Sequence, residues 1–81
     1  MTTARVLDYV HAERRRQDKK WGVQRHDSLR WLAILVEEVG EVAKARLENH
    51  PENYREELLQ VAAVAVAAYE SALALADEPE E

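Results

Sequence analysis

Apolar residues recur along this chain at helical spacing. Val6, Leu7 and Val10 form a narrow stripe near the start. Trp31, Ile34, Leu35, Val42 and Ala45 share one face further on, and Val61, Val64, Ala68 and Leu75 share another near the end. No segment alternates apolar and polar residues as a half-buried strand does. The pattern predicts an all-α chain of three helices, over about residues 3–19, 28–48 and 51–76, in one domain spanning 1–81. Trp21 and Gly22 close the first helix, and residues 23–27 form a short polar loop. Asp27 or Ser28 caps the second helix. Asn49, His50 and Pro51 break the chain again, with Pro51 suited to a first turn where its missing N–H costs nothing. An acidic tail, 77–81, is expected to fray.

Composition sharpens this picture. A domain of 81 residues buries only ~60% of its unfolded surface. There is no cysteine to staple it or to hold a metal as thiolate. The helical bundle is therefore expected to complete its core by oligomerisation. The near-apolar run from Leu58 to Tyr69 is interrupted by Gln60 and is short for a bilayer span. The first residues lack the regions of a signal peptide. The expectation is a cytoplasmic protein with no membrane partner. Charge is uneven: residues 1–30 hold eight basic and four acidic residues, a balance of +4, whereas 31–81 hold three and twelve, a balance of −9. A basic segment beside an acidic one suits a ligand that carries both phosphate and a cation. It opposes a nucleic-acid backbone as partner. A solvated first helix with ordinary charge pairs is the plainer reading of the same balance.

The carboxylates carry the candidate chemistry. At about 100° per residue, Glu38 falls in the middle of the apolar face of the second helix. Glu41 lies about 60° to one side, and Glu37 points further round. On the third helix Glu57 is central, and Gln60 lies about 60° to one side. Each of two helices thus carries a polar pair at spacing i, i+3 inside a stripe that should be core. An unpaired buried carboxylate is costly. A divalent cation such as Mg²⁺, which takes oxygen ligands and keeps some waters, would account for the convergence. Interface pairing with arginine would account for it as well. Gly40 costs the second helix about 1 kcal/mol against alanine, and it faces away from Glu38.

The run Glu37-Glu38-Val39-Gly40-Glu41 followed by Glu57-Leu58-Leu59-Gln60 resembles the MazG-like nucleotide pyrophosphohydrolases, of the all-α NTP pyrophosphohydrolase superfamily. Their pattern is Glu-Glu-x-x-Glu, then Glu-x-x-Asp on the next helix. The likeness covers about residues 13–70, and Gln17-Asp18-Lys19-Lys20-Trp21-Gly22 with Gln24 and His26 looks like the small phage and bacterial members. The resemblance implies a dimer or tetramer that uses Mg²⁺, with Mn²⁺ as a substitute, to cleave a (d)NTP to (d)NMP and pyrophosphate. It implies that Glu38, Glu41, Glu57 and Gln60 hold metal. It gives Glu37 and Glu38 catalytic roles, Glu37 holding a second metal or orienting the attacking water. Gln60 stands where the family pattern has Asp, which removes one negative charge from the site.

On the substrate side, Lys20 is a candidate phosphate contact and Trp21 a candidate platform for a base, with Gln24 and His26 beside them. Trp21 as a core aromatic closing the first helix, and His26 as a loop residue, are the competing readings. Arg14, Arg15 and Arg16 span about 200° of helix and cannot all face one ligand. Two other functions remain open: a catalytically weak module that senses nucleotide or metal, and a structural helical oligomerisation domain.

Overall fold

The computed structural model describes residues 1–76. The expected acidic tail lies outside them. The chain is all-helical: α1 runs Thr3–Trp21, α2 Ser28–Leu47 and α3 Pro51–Ala76. The Thr2 hydroxyl accepts from the Arg5 N–H at 3.2 Å and caps α1. Gly22 ends it at φ +76°, with its N–H on the Asp18 carbonyl at 2.8 Å. The helix thus runs two residues beyond its expected end. Asp27 caps α2 by accepting from the Arg30 N–H at 2.8 Å. At the other end Asn49 takes a left-handed conformation, φ 56°. The His50 N–H then reaches the Ala45 carbonyl at 3.0 Å, and the Asn49 N–H the Arg46 carbonyl at 3.3 Å. That is the Schellman arrangement, built on asparagine instead of glycine.

α3 is the central element. α2 packs along it, α1 packs on another side of it, and α1 and α2 do not meet. Trp31, Val64 and Ala67 form the core, with Ile34, Leu35 and Ala68 against them. Val10, Ala45 and Ala63 are also buried. The other two members of the first expected stripe, Val6 and Leu7, stay exposed, because α1 has only one neighbour to pack on.

The three helices leave much of themselves bare. The accessible surface is 6507 Å², against about 5,000 Å² for a compact protein of this mass. The radius of gyration is 14.2 Å, against about 12 Å for a compact domain. One sequence expectation changes here. α3 as a whole is long and apolar enough, by length and composition, to cross a membrane. The shorter run considered from sequence ended at Tyr69, but helix and apolar character continue to Ala76. The side of α3 that meets α1 and α2 nevertheless carries Glu57, Gln60, Glu70 and Ser71, all in polar contacts.

Candidate metal centre and adjoining cavity

Glu38 lies half-buried on α2, at the face that meets α3. Its carboxyl holds its proton above the ordinary glutamate range. Burial is the main cause, followed by the charge of Glu57 and a hydrogen bond with it, then by Glu41 and Glu37. Glu38 and Glu57 therefore meet across the α2–α3 seam, as their central positions on the two apolar faces predict. Glu41 and Glu37 are exposed and act on Glu38 through charge. Like charges around a partly desolvated carboxylate disfavour ionisation, and a cation would relieve this. The donor chemistry of the pair, hard carboxylate oxygen, fits Mg²⁺ or Mn²⁺. Among the described residues, no three acidic or histidine side chains stand close enough together to enclose an ion.

Gln60 sits apart from that pair. Its Oε1 accepts from Gln17 Nε2 on α1 at 3.1 Å. Its carboxamide also lies beside Glu13 and helps to lower that carboxyl's pKa. The Glu13 side chain is only 10% exposed, and Arg16 binds it through two nitrogens at 2.6–3.1 Å. The Arg16 hydrogen bond is the main reason that the Glu13 carboxyl lies below its usual range, against the opposing effect of burial. Gln60 thus ties α3 to α1. The amide is used between helices and adds no charge to the carboxylate pair.

A cavity of about 230 Å³ opens beside Glu38. Arg14, Gln17 and Asp18 of α1, Trp31 and Ile34 of α2, and Gln60 and Val64 of α3 contribute to its walls, with Trp21 and Gln24 at the loop side. Arg14 is 9% exposed and holds three neighbours. Its guanidinium donates to Gln17 Oε1 at 3.0 Å, Asp18 Oδ1 at 3.1 Å and Glu70 Oε1 at 3.2 Å. Trp31 closes the floor. Its indole N–H donates to the Ser71 hydroxyl at 2.9 Å, and that hydroxyl donates to the Gln24 carbonyl at 3.4 Å. Among the described residues every buried side-chain polar atom has a partner.

Of the residues singled out from sequence, the cavity gathers Glu38, Gln60, Trp21 and Gln24. Trp21 is 54% exposed at the rim. It is not a core residue, and the Lys20 ammonium lies 4.8 Å from its ring centre. His26 stands elsewhere, tilted against Trp31 with ring centres 4.9 Å apart. Glu37, Glu41 and Glu57 do not line the cavity. Sequence reasoning missed Arg14, Gln17, Asp18 and Ser71. The first three stand at i, i+3 and i+4, a one-face spacing that the neighbouring Arg15 and Arg16 obscured. Comparison with family models, with curated proteins and with solved structures finds no match for this chain.

Proposed function

We propose that this protein is a metal-dependent nucleoside triphosphate pyrophosphohydrolase, converting a (d)NTP to (d)NMP and pyrophosphate. The observation that carries the reading is the Glu38–Glu57 pair at the α2–α3 seam, beside a cavity walled by an arginine and two tryptophans. Glu38 and Glu57 are the residues that would hold Mg²⁺ or Mn²⁺, with Glu41 one turn along α2. Mg²⁺ needs only one or two carboxylates when substrate phosphates and waters complete its shell. When bound, the cation supplies charge compensation for the triphosphate and activation of water. Glu37, on the exposed side of the pair, accepts hydrogen bonds and orients the attacking water. Lys20 offers positive charge to phosphate, and the Trp21 ring offers a face to a base. Positioning and electrostatics of this kind do most of the work in phosphoryl transfer.

A cavity of about 230 Å³ is below the ~300–1,000 Å³ of ligand pockets. A single chain therefore encloses part of a nucleotide, and the reading includes a homo-oligomer. A second reading, a nucleotide- or metal-sensing module with little turnover, is favoured by one feature: Gln60 is engaged by Gln17 and brings no charge.

One assay separates the two. The protein is incubated with a panel of NTPs and dNTPs, with Mg²⁺ or with chelator, and pyrophosphate and monophosphate are measured. Metal-dependent pyrophosphate release that Glu38→Ala abolishes is the expected result. Saturable Mg²⁺ binding without product from any nucleotide would sink the enzyme reading and leave the sensor. Absence of both leaves a structural domain.

A further inference from the structure

The side of α1 that faces the cavity is a line of polar groups ending in a ring. Arg14, Gln17, Asp18 and Trp21 stand at i, i+3, i+4 and i+7, which is one face of a helix, and all four line the cavity. Most polar atoms along this line are committed to one another. The Gln17 carboxamide accepts from Arg14 and donates to Gln60. The Arg14 guanidinium donates to Gln17, Asp18 and Glu70. Asp18 differs. Arg14 engages its Oδ1 alone, at 3.1 Å, and the side chain is still 39% exposed. The carboxylate is thus held on one oxygen and keeps acceptor capacity for a ligand.

Trp21 is the neighbour of Asp18 one turn on. Side chains at i and i+3 lie about 5–6 Å apart at Cβ, so the ring and the carboxylate share one corner of the cavity. The Lys20 ammonium lies over one face of the ring, 4.8 Å from its centre. The other face is a platform for a flat heterocycle, and a ring resting there presents its edge to Asp18. The cavity, about 230 Å³, has room for a base and not for a whole nucleotide.

We propose that this corner selects guanine, with Asp18 accepting from the N1–H and the 2-amino group of a base stacked on Trp21. The inference rests on the reading of the ligand as a nucleotide and names its base. An ionised carboxylate accepts hydrogen bonds and donates none. Guanine offers it two N–H donors side by side, a bidentate match to the two oxygens. Adenine and cytosine offer one amino group beside a bare ring nitrogen, whose lone pair opposes the second oxygen. Uracil and thymine offer one N–H between two carbonyls. Arg14 is a positioning residue in this scheme. It fixes the carboxylate through Oδ1, and its own bonds to Gln17 and Glu70 hold it in place.

Binding of nucleoside monophosphates in chelator tests it, so that neither metal nor turnover enters. Titrations with GMP, IMP, AMP, CMP and UMP are followed by the NMR shifts of backbone amides and indole N–H groups. GMP is expected to bind tightest. IMP lacks only the 2-amino group and should bind about tenfold more weakly, the loss of one hydrogen bond to a charged group. Asp18→Asn exchanges an acceptor for a donor. It should bind xanthosine monophosphate, whose 2-oxygen accepts, about tenfold tighter than GMP. A preference gained for a new ligand is not something misfolding produces. Equal affinity of the wild type for GMP and IMP overturns the proposal. So does no binding of GMP, or an Asp18→Asn protein that still prefers GMP to xanthosine monophosphate. The two readings fail separately. Selective GMP binding by a protein that hydrolyses no nucleotide sinks the enzyme and keeps the guanine site. Metal-dependent pyrophosphate release at one kcat/KM from every NTP and dNTP keeps the enzyme and overturns guanine selection.

Discussion

Ser71→Ala removes one oxygen from the most deeply buried polar position in the chain, a side chain only 1% exposed. The Trp31 indole N–H loses its acceptor at 2.9 Å, and the Gln24 carbonyl loses its donor at 3.4 Å. The carbonyl lies in an exposed loop and regains water. The indole belongs to a residue only 6% exposed and does not. Leaving a buried donor unsatisfied costs about 1–3 kcal/mol, against about 1 kcal/mol for a typical net hydrogen bond. The expected loss is therefore about 2 kcal/mol, or about 8–16 °C in melting temperature for a domain of this size. Thermal unfolding followed by far-UV circular dichroism reads it, at one fixed protein concentration because association shifts the midpoint. The cycle partner is Trp31→Phe, which removes the donor. In that background Ser71→Ala should cost less than about 0.5 kcal/mol, because nothing remains to be stranded. An equal loss in both backgrounds would refute the pairing of Trp31 with Ser71. The same substitution releases the loop that carries Gln24, so nucleotide affinity should weaken along with stability.

Four further outcomes are expected. Glu38→Gln should abolish pyrophosphate release yet unfold at higher urea than the wild type at pH 7 in chelator. The folded state holds the Glu38 proton more tightly than the unfolded chain does, so its ionised form is penalised at neutral pH and the penalty disappears as pH falls through the folded pKa. The advantage of the variant should therefore shrink at acid pH, and a pH-independent difference would contradict the assignment. Glu13 has the opposite sign, because Arg16 lowers its pKa: the stability it contributes is present above the ordinary glutamate value and is lost below it, and Glu13→Gln should remove that loss. Gly22→Ala should destabilise by about 1–3 kcal/mol, since φ +76° with ψ 173° is a glycine conformation and no contact offsets the strain; a neutral result in urea denaturation would show that the α1 terminus relaxes freely. Gln60→Glu should tighten Mg²⁺ binding by about tenfold or more in calorimetry, because it adds a unit of negative charge to the wall of the cavity that Glu38 also lines; unchanged affinity would remove position 60 from the site.

The three helices were legible because helix chemistry is local. Periodicity, Asp27, Gly22 and Pro51 set the elements to within two residues, and the left-handed turn at Asn49 needed only that a break be recognised. The Glu38–Glu57 contact was legible for a related reason. Each lies at the centre of its own apolar stripe, and stripes meet by their centres. What stayed hidden depends on which helices touch. The Val6, Leu7 and Val10 stripe looked like core, but α1 meets α3 alone, and only Val10 is covered. Arg14 was indistinguishable from Arg15 and Arg16 until the position of α3 selected the one that points inward.

Gln60 joins these two levels. Its place on the α3 wheel marked it as a partner of Glu57, which is a statement about one helix. Its partners in space, Gln17 and Glu13, are on α1, and no wheel of α3 contains them. A carboxylate at position 60 would stand close to Glu13, whose charge Arg16 already balances, and would lose the amide that helps to lower the Glu13 pKa. The glutamine therefore has a physical reason of its own: it spans α3 and α1 without adding a second negative charge at that junction. Less charge for a cation and a firmer hold between helices come from one side chain, so Gln60→Glu should show both, with tighter Mg²⁺ binding and a lower unfolding midpoint in the metal-free protein.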